Sequence, residues 1–203
     1  MAAKNAAKNN YKTLLLDEKN ELGGSTIYEN NESNKIDNKI SSEWLKKEIE
    51  ELKNIKNLEI KTRTSVAAYH QYNYLLAREN LTDHLEKKDK TNKIRQRLLK
   101  IRAKKVILAT GALERPMVFN NNDRPGIMLS SAIKKYSDFY GVACGRKIVF
   151  FTNNDSAYES ALSLNDKGIK VEAIVDIRKQ SETNLEKRVI DAGVKLSLIH
   201  IWR

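Results

Sequence analysis

The stretch Leu14–Ser25, LLLDEKNELGGS, combines an apolar run, an acidic pair and a glycine doublet. A short continuous apolar run of this kind is typical of a strand buried on both faces, as in a parallel sheet. In dinucleotide-binding folds the carboxylate at the end of such a strand accepts hydrogen bonds from the ribose hydroxyls. We therefore predict that Asp17 binds ribose. Gly23 and Gly24, which lack a Cβ, would let the backbone approach the cofactor.

The residues before this strand predict a helix but contain no phosphate loop. Residues 1–10, MAAKNAAKNN, place small alanines three and four apart, as a helix packed on a parallel sheet requires. A helix followed by a parallel strand is the second half of a βαβ unit. The glycine loop that should open such a unit is missing, because no glycine precedes Gly23.

The middle of the chain predicts an inserted antiparallel meander. AAYHQYNYLLAREN and KIRQRLLKIRAKKVILAT flank a polar turn at residues 82–93 and carry strand-forming residues. KKVILATG is then predicted to return to the parallel sheet as a strand. Its small residues, which include Thr110 and Gly111, would let the chain pass beneath a bound dinucleotide. Together with DEKNELGGS, this segment indicates a dinucleotide site.

A second βαβ pattern follows, in the segments KIVFF, SAYESALSLNDKG, VEAIVDIR and NLEKRVIDAG. Alignment of the strand ends places Thr152, Asn154 and Ala157 where a dinucleotide loop has Gly-x-Gly-x-x-Gly. The Asn154 side chain would obstruct the pyrophosphate, so we expect no standard nicotinamide site here. Asp176, at the end of the next strand, is interpreted as a solvated carboxylate.

These patterns define the fold class as α/β. We predict two incomplete Rossmann-like, three-layer dinucleotide-binding units, the first with an inserted antiparallel β-meander. The predicted limits are residues 1–118 for the first unit and 119–196 for the second, with a non-native tail at 197–203. For the tail, the alternating sequence VKLSLIHI leaves a genuine strand open as the alternative.

Composition narrows the possible partners. The net charge is +11, from 37 basic and 26 acidic residues, but lysines are interleaved with glutamates, which argues against a nucleic-acid partner. No apolar run approaches the roughly 20 residues of a membrane span, so we expect no membrane partner and a cytoplasmic protein. The lone Cys144 is predicted to be a small buried residue. The spacing of the cysteine and histidines matches no metal site. No residue can be assigned as a catalytic acid or base from its position in the sequence.

Several segments closely resemble the alpha subunit of heterotetrameric sarcosine oxidase. They are LLLDEKNELGGS, NYLLARENLTDHL and the long run from VILATGALERP through NDRPGIML to TNNDSAYESAL. The resemblance covers about residues 2–196 and departs near Lys195. It implies that a first strand with its glycine loop precedes Met1, and that a folate-binding domain follows the end of the chain.

The resemblance also implies an activity, cofactors and partners. The enzyme would oxidise sarcosine to glycine and pass the one-carbon unit to tetrahydrofolate, together with beta, gamma and delta subunits. NAD, or FAD, would lie in the first unit, with FMN at a subunit interface and FAD in a partner subunit. Within this chain, the implied cofactor-binding residues are Asp17, Glu18, Gly23, Gly24, Ser25, Val66, Thr110 and Gly111.

Two alternatives remain open at this stage. The chain could be part of the alpha subunit of a related amine, opine or proline dehydrogenase, which would deliver electrons to a carrier instead of oxygen. It could also be an inactive truncated fragment, because the helix-terminal phosphate site requires the glycine loop.

Overall fold

The structure is a computed structural model that describes residues 1–27, 35–90, 93–179 and 184–199. It separates into two compact units, Met1–Thr110 and the chain from Gly111 onward. The predicted boundary between the two domains, with the first ending at residue 118 and the second beginning at residue 119, stays a prediction. The predicted α/β class, with two Rossmann-like units and an inserted meander, is confirmed.

The first unit contains two helices and seven strands among its described residues. They are α1 (Ala2–Lys8), β1 (Thr13–Leu16), β2 (Lys35–Ile36), β3 (Lys39–Ile40), α2 (Ser41–Lys53), β4 (Leu58–Lys61), β5 (Thr64–His70), β6 (Tyr74–Asn80) and β7 (Gln96–Arg102).

The predicted helix and strand at the start of the chain are confirmed, but the strand is not buried on both faces, because Leu14 is 36% exposed and the other residues of β1 are half-buried. β1 pairs in parallel with β4, with Leu15 opposite Ile60. Ala7 of α1 is buried, as the spacing of the small residues predicts. Lys4 Nζ lies 2.7 Å from Glu48 Oε1 and 2.7 Å from Glu51 Oε2 of α2. Ion pairs therefore join α1 directly to α2, and both helices also contact β4.

The predicted antiparallel meander is also confirmed. β5, β6 and β7 pair in that order, and the fully buried Ala77 lies opposite Val66 on one side and Leu99 on the other. Lys61 Nζ contacts Glu79 Oε1 at 3.2 Å. This ion pair ties the end of β4 to the middle strand of the meander.

The predicted strand KKVILATG is wrong. β7 ends at Arg102, and residues 103–119 contain neither helix nor strand. Ile107 and Leu108 are 68% and 67% exposed. A strand needs a neighbour for its N–H and C=O groups, and among the described residues β1 pairs only with β4. No described strand pairs with this segment, and an apolar pattern alone does not produce a strand.

The second unit consists of α3 (Ser130–Tyr140), β8 (Lys147–Thr152), α4 (Ser156–Asp166), β9 (Lys170–Asp176), α5 (Leu185–Asp191) and β10 (Lys195–Leu198). Its three strands are parallel in the order β10-β9-β8. Ile174 of β9, Leu164 of α4 and Val189 of α5 are fully buried in one core. Residues 195–198 thus form a strand, while residues 200–203 of the predicted tail lie outside the described residues.

Two further observations bear on expectations from composition. Cys144 is exposed, so its predicted burial is wrong; it lies in the irregular segment between α3 and β8, where no neighbouring element covers it. No helix in the described part of the chain is long and apolar enough to cross a membrane.

Glu114 organises the start of α3, although it lies outside any regular element. Its Oε1 accepts hydrogen bonds from the N–H and hydroxyl of Ser130, and its Oε2 accepts one from the N–H of Ser131. Burial by itself would raise the pKa of Glu114, but these donors outweigh burial and hold that pKa below its usual value. The carboxylate is therefore a charged N-terminal cap.

We predict that Glu114→Gln destabilises the second unit by about 1–2 kcal/mol at neutral pH. Since the pKa of Glu114 is lowered by folding, its stabilising contribution is present above the ordinary glutamate pKa of about 4.3 and is lost as the pH falls through the lowered value. Urea unfolding at pH 7 and at pH 3 measures both. Asp123→Asn, at an exposed carboxylate, is the control, and an undiminished difference at pH 3 would contradict this role.

Candidate functional site

Asp17 lies where the sequence predicts a ribose-binding carboxylate. It directly follows β1, its N–H donates to the Lys61 carbonyl at 3.0 Å, and its carbonyl accepts from the N–H of Thr64 at 2.8 Å. The carboxylate Oδ1 accepts the N–H of Lys19 at 2.9 Å. Oδ2 has no hydrogen bond or ion pair within the described residues, and the side chain is half-buried. A fixed carboxylate with a free oxygen can accept a hydrogen bond from a diol.

The glycine doublet follows in a turn that leads into a short 3₁₀ helix, Gly24–Ile27. Gly23 has φ +129° and Gly24 has φ +61°, both in the region that favours glycine. A Cβ on Gly23 would meet Leu45 Cδ2 at 2.5 Å, whereas a Cβ on Gly24 would have no protein atom within 4 Å. Packing against α2 therefore explains Gly23, while the open space at Gly24 is compatible with the predicted close approach of a ligand.

Val66 belongs to the same side of the first unit. The hydrogen bond from the Thr64 N–H to the Asp17 carbonyl joins the end of β1 to the start of β5. Val66 lies two residues further along β5 and is 45% exposed. In the meander Val66 lies opposite Ala77, beside an irregularity of the pairing between Val66 and Ala68. The predicted contact with adenine stays a prediction.

The other predicted site residues are exposed. Glu18 and Ser25 flank the Asp17 turn at the surface. Thr110 ends the first compact unit and Gly111, with φ +70°, begins the second, in a segment without helix or strand. Their roles at the ribose and beneath the pyrophosphate remain predictions.

The corresponding position in the second unit differs from its prediction. Asp176 ends β9 but is fully buried, so its interpretation as a solvated carboxylate is wrong. Its oxygens accept hydrogen bonds from Tyr158 and Arg178. Sequence reasoning missed Arg178; its position two residues after the strand-end acid was the available signal. No cluster of three or more metal-ligating side chains occurs in the described ranges.

Comparison with curated proteins gives a consistent result. The chain is 38% identical over 195 residues to sarcosine oxidase subunit alpha of Corynebacterium sp. strain P-1, covering 96% of this chain and 20% of that protein. It is 36% identical over 177 residues to the same subunit of Rhizobium meliloti strain 1021, covering 87% and 18%. The resemblance to sarcosine oxidase alpha subunits is confirmed. The chain spans about a fifth of the length of these relatives. No protein-family profile matches it.

Solved structures agree with the fold class. L-proline dehydrogenase from P. horikoshii superimposes with a TM-score of 0.66 and 26% identity, over 90% of this chain and 34% of that chain. Thioredoxin reductase from T. acidophilum gives a TM-score of 0.65 at 16% identity, over 100% and 62%; at this identity the likeness shows the fold alone. The sarcosine oxidase-like chain thus shares its fold with oxidoreductases.

The two glycines make a matched pair for a test. Gly23→Ala should destabilise the first unit by about 2–4 kcal/mol, because φ +129° is strained for alanine and because the Leu45 side chain would have to move away from the new methyl group. Gly24→Ala should cost only about 1–2 kcal/mol, the conformational penalty of the left-handed region. Denaturant unfolding measures both. Equal losses in the two variants would refute the assignment of Gly23 to packing and Gly24 to an open surface.

Proposed function

We propose that the chain is the dinucleotide-binding region of an oxidoreductase alpha subunit of the sarcosine oxidase type. Similarity over almost the whole chain to sarcosine oxidase alpha subunits is the observation that carries this proposal. In the complete enzyme, sarcosine would be oxidised to glycine and the one-carbon unit transferred to tetrahydrofolate. Beta, gamma and delta subunits would be the partners, with FMN at a subunit interface and FAD in a partner subunit.

The first unit would hold the adenosine half of NAD or FAD. Asp17, with Glu18 beside it, would accept hydrogen bonds from the ribose. The Oδ2 atom of Asp17, which has no partner among the described residues, fits that role. Gly23, Gly24 and Ser25 would lie close to the cofactor, and Val66 would offer main-chain hydrogen bonds to the adenine. Thr110 and Gly111 would lie beneath the pyrophosphate. The bound dinucleotide would have a redox or a structural role. This chain would bind and orient it, and we assign no catalytic acid or base.

We expect Asp17→Asn to weaken dinucleotide binding about 10–100-fold in the full-length alpha subunit assembled with its partners. An amide loses the charge-assisted hydrogen bonds of the carboxylate, worth about 1.5–3 kcal/mol. Glu21→Gln removes the same charge from the same exposed turn and should leave affinity unchanged. Equilibrium dialysis with NAD measures this, and equal affinities for Asp17→Asn and wild type would overturn the site.

A second candidate function is that of an amine or proline dehydrogenase alpha subunit, which the fold match to L-proline dehydrogenase favours. If the chain is of the sarcosine oxidase type, the full-length protein with its partner subunits should oxidise sarcosine, consume oxygen and release formaldehyde or methylenetetrahydrofolate. Oxidation of L-proline with an artificial electron carrier, without activity on sarcosine, would establish the alternative instead.

The isolated chain of 203 residues should have no oxidase activity and should bind NAD poorly. Loss of the charge-assisted contacts of a glycine loop, each worth about 1.5–3 kcal/mol, corresponds to roughly a thousandfold or more. Calorimetry on the isolated chain tests this expectation, and sub-micromolar binding would contradict it.

A further inference from the structure

The carboxyl ends of β8 and β9 in the second unit are filled by the protein's own side chains. In a dinucleotide-binding fold this is the position of the ribose and pyrophosphate. Asp176 is 0% exposed there, and Tyr158, equally buried, donates its hydroxyl hydrogen to Asp176 Oδ2 at 2.9 Å. A strand-end carboxylate that would otherwise meet a ribose is therefore enclosed within the core.

Arg178 completes the enclosure. Its N–H donates to Asp176 Oδ1 at 2.8 Å, and its Nη2 lies 2.7 Å from Asp176 Oδ2 and 2.7 Å from Asp155 Oδ1. Asp155 immediately precedes α4. The guanidinium thus joins the end of β9 to the start of α4, across the place that a nucleotide would enter.

Two N–H groups of the loop between β8 and α4 are bound by side chains of the same loop. Asn154 Oδ1 accepts hydrogen bonds from the N–H of Ser156 at 3.1 Å and from its hydroxyl at 2.6 Å. Thr152 Oγ1 accepts the Asn154 N–H at 3.1 Å and donates to the Asn154 carbonyl at 3.0 Å. A pyrophosphate binds here through free N–H groups at the start of the helix. The Asn154 carboxamide takes the Ser156 N–H instead.

We propose that Asp155, Tyr158, Asp176 and Arg178 form an internal clasp that takes the place of a nucleotide in the second unit. Both Asp176 oxygens are already used, by the buried Tyr158 and the half-buried Arg178, so a ribose could bind only by displacing one of these two side chains. Displacement would leave a buried carboxylate without its cation, which is strongly unfavourable. The second unit is then a structural platform. The further statement that only the first unit binds a dinucleotide also rests on the proposed function.

The ionisation of the clasp agrees with this assignment. Burial would raise the pKa of Asp176, but the hydrogen bonds from Arg178 and Tyr158 prevail and lower that pKa. Burial and the neighbouring Asp176 carboxylate raise the pKa of Tyr158, which keeps its hydroxyl a donor. At neutral pH Asp176 is therefore a carboxylate and Tyr158 a neutral phenol.

The first test measures unfolding of the ligand-free full-length protein. A clasp residue stabilises the fold without any nucleotide, whereas a nucleotide-binding arginine does not. Arg178→Met should lower the Tm of the transition containing the second unit by at least about 4 °C. Tyr158→Phe, which removes one hydrogen bond, should lower it by less. Arg188→Met, at an exposed position on α5, is the matched control. An unchanged Tm in both clasp variants would overturn the proposal.

The second test counts the adenine dinucleotide released on acid denaturation of the purified holoenzyme. Arg178→Met should retain the wild-type content, whereas Asp17→Asn should lose the dinucleotide assigned to this chain. A loss of dinucleotide in Arg178→Met with an unchanged Tm would make Arg178 a ligand-binding residue and refute the clasp. Unchanged content in Asp17→Asn would refute the first-unit site, but it would leave the Tm result for the clasp intact.

Discussion

Parallel pairing of short strands is the constraint on which both units depend. Parallel strands cannot be joined by a tight turn, so each pair needs a crossover that brings a helix onto the sheet. α2 provides the crossover between β1 and β4, and α4 the one between β8 and β9. In each pair the carboxyl ends emerge at one edge, which brings Asp17 or Asp176 together with the loop that follows the neighbouring strand. The same backbone rule thus creates both candidate sites.

The two sites have opposite outcomes because of their local side chains. At Asp17 one oxygen is fixed by the Lys19 N–H, the other has no partner among the described residues, and the glycine turn further along the chain has open space at Gly24. At Asp176 both oxygens accept hydrogen bonds, from the buried Tyr158 and the half-buried Arg178. A carboxylate at a strand end is therefore insufficient to predict a ribose site. What decides is whether the loop that follows the same strand supplies an internal cation such as Arg178.

Sequence patterns predicted most of the fold because the deciding signals were local. The apolar run before Asp17, the small residues of α1 and the alternation in the meander each determine their element over a few residues. The segment containing Ile107 failed because a strand depends on a hydrogen-bonding neighbour distant in sequence. The clasp was missed for the same reason: Asp155 and Arg178 are 23 residues apart, and only the crossover brings them within 2.7 Å. The position of Asp17 at the end of a strand could be predicted from the sequence, but the hydrogen bonding of each of its carboxylate oxygens could not.

A structure of the full-length alpha subunit with bound dinucleotide tests the central claim most directly. The account predicts the adenosine ribose within hydrogen-bonding distance of the Asp17 carboxylate, about 2.6–3.2 Å, with the second unit closed around Arg178. A dinucleotide seated instead at the start of α4, with its ribose on Asp176 and Arg178 turned away, would contradict both the assigned site and the contrast between the two units.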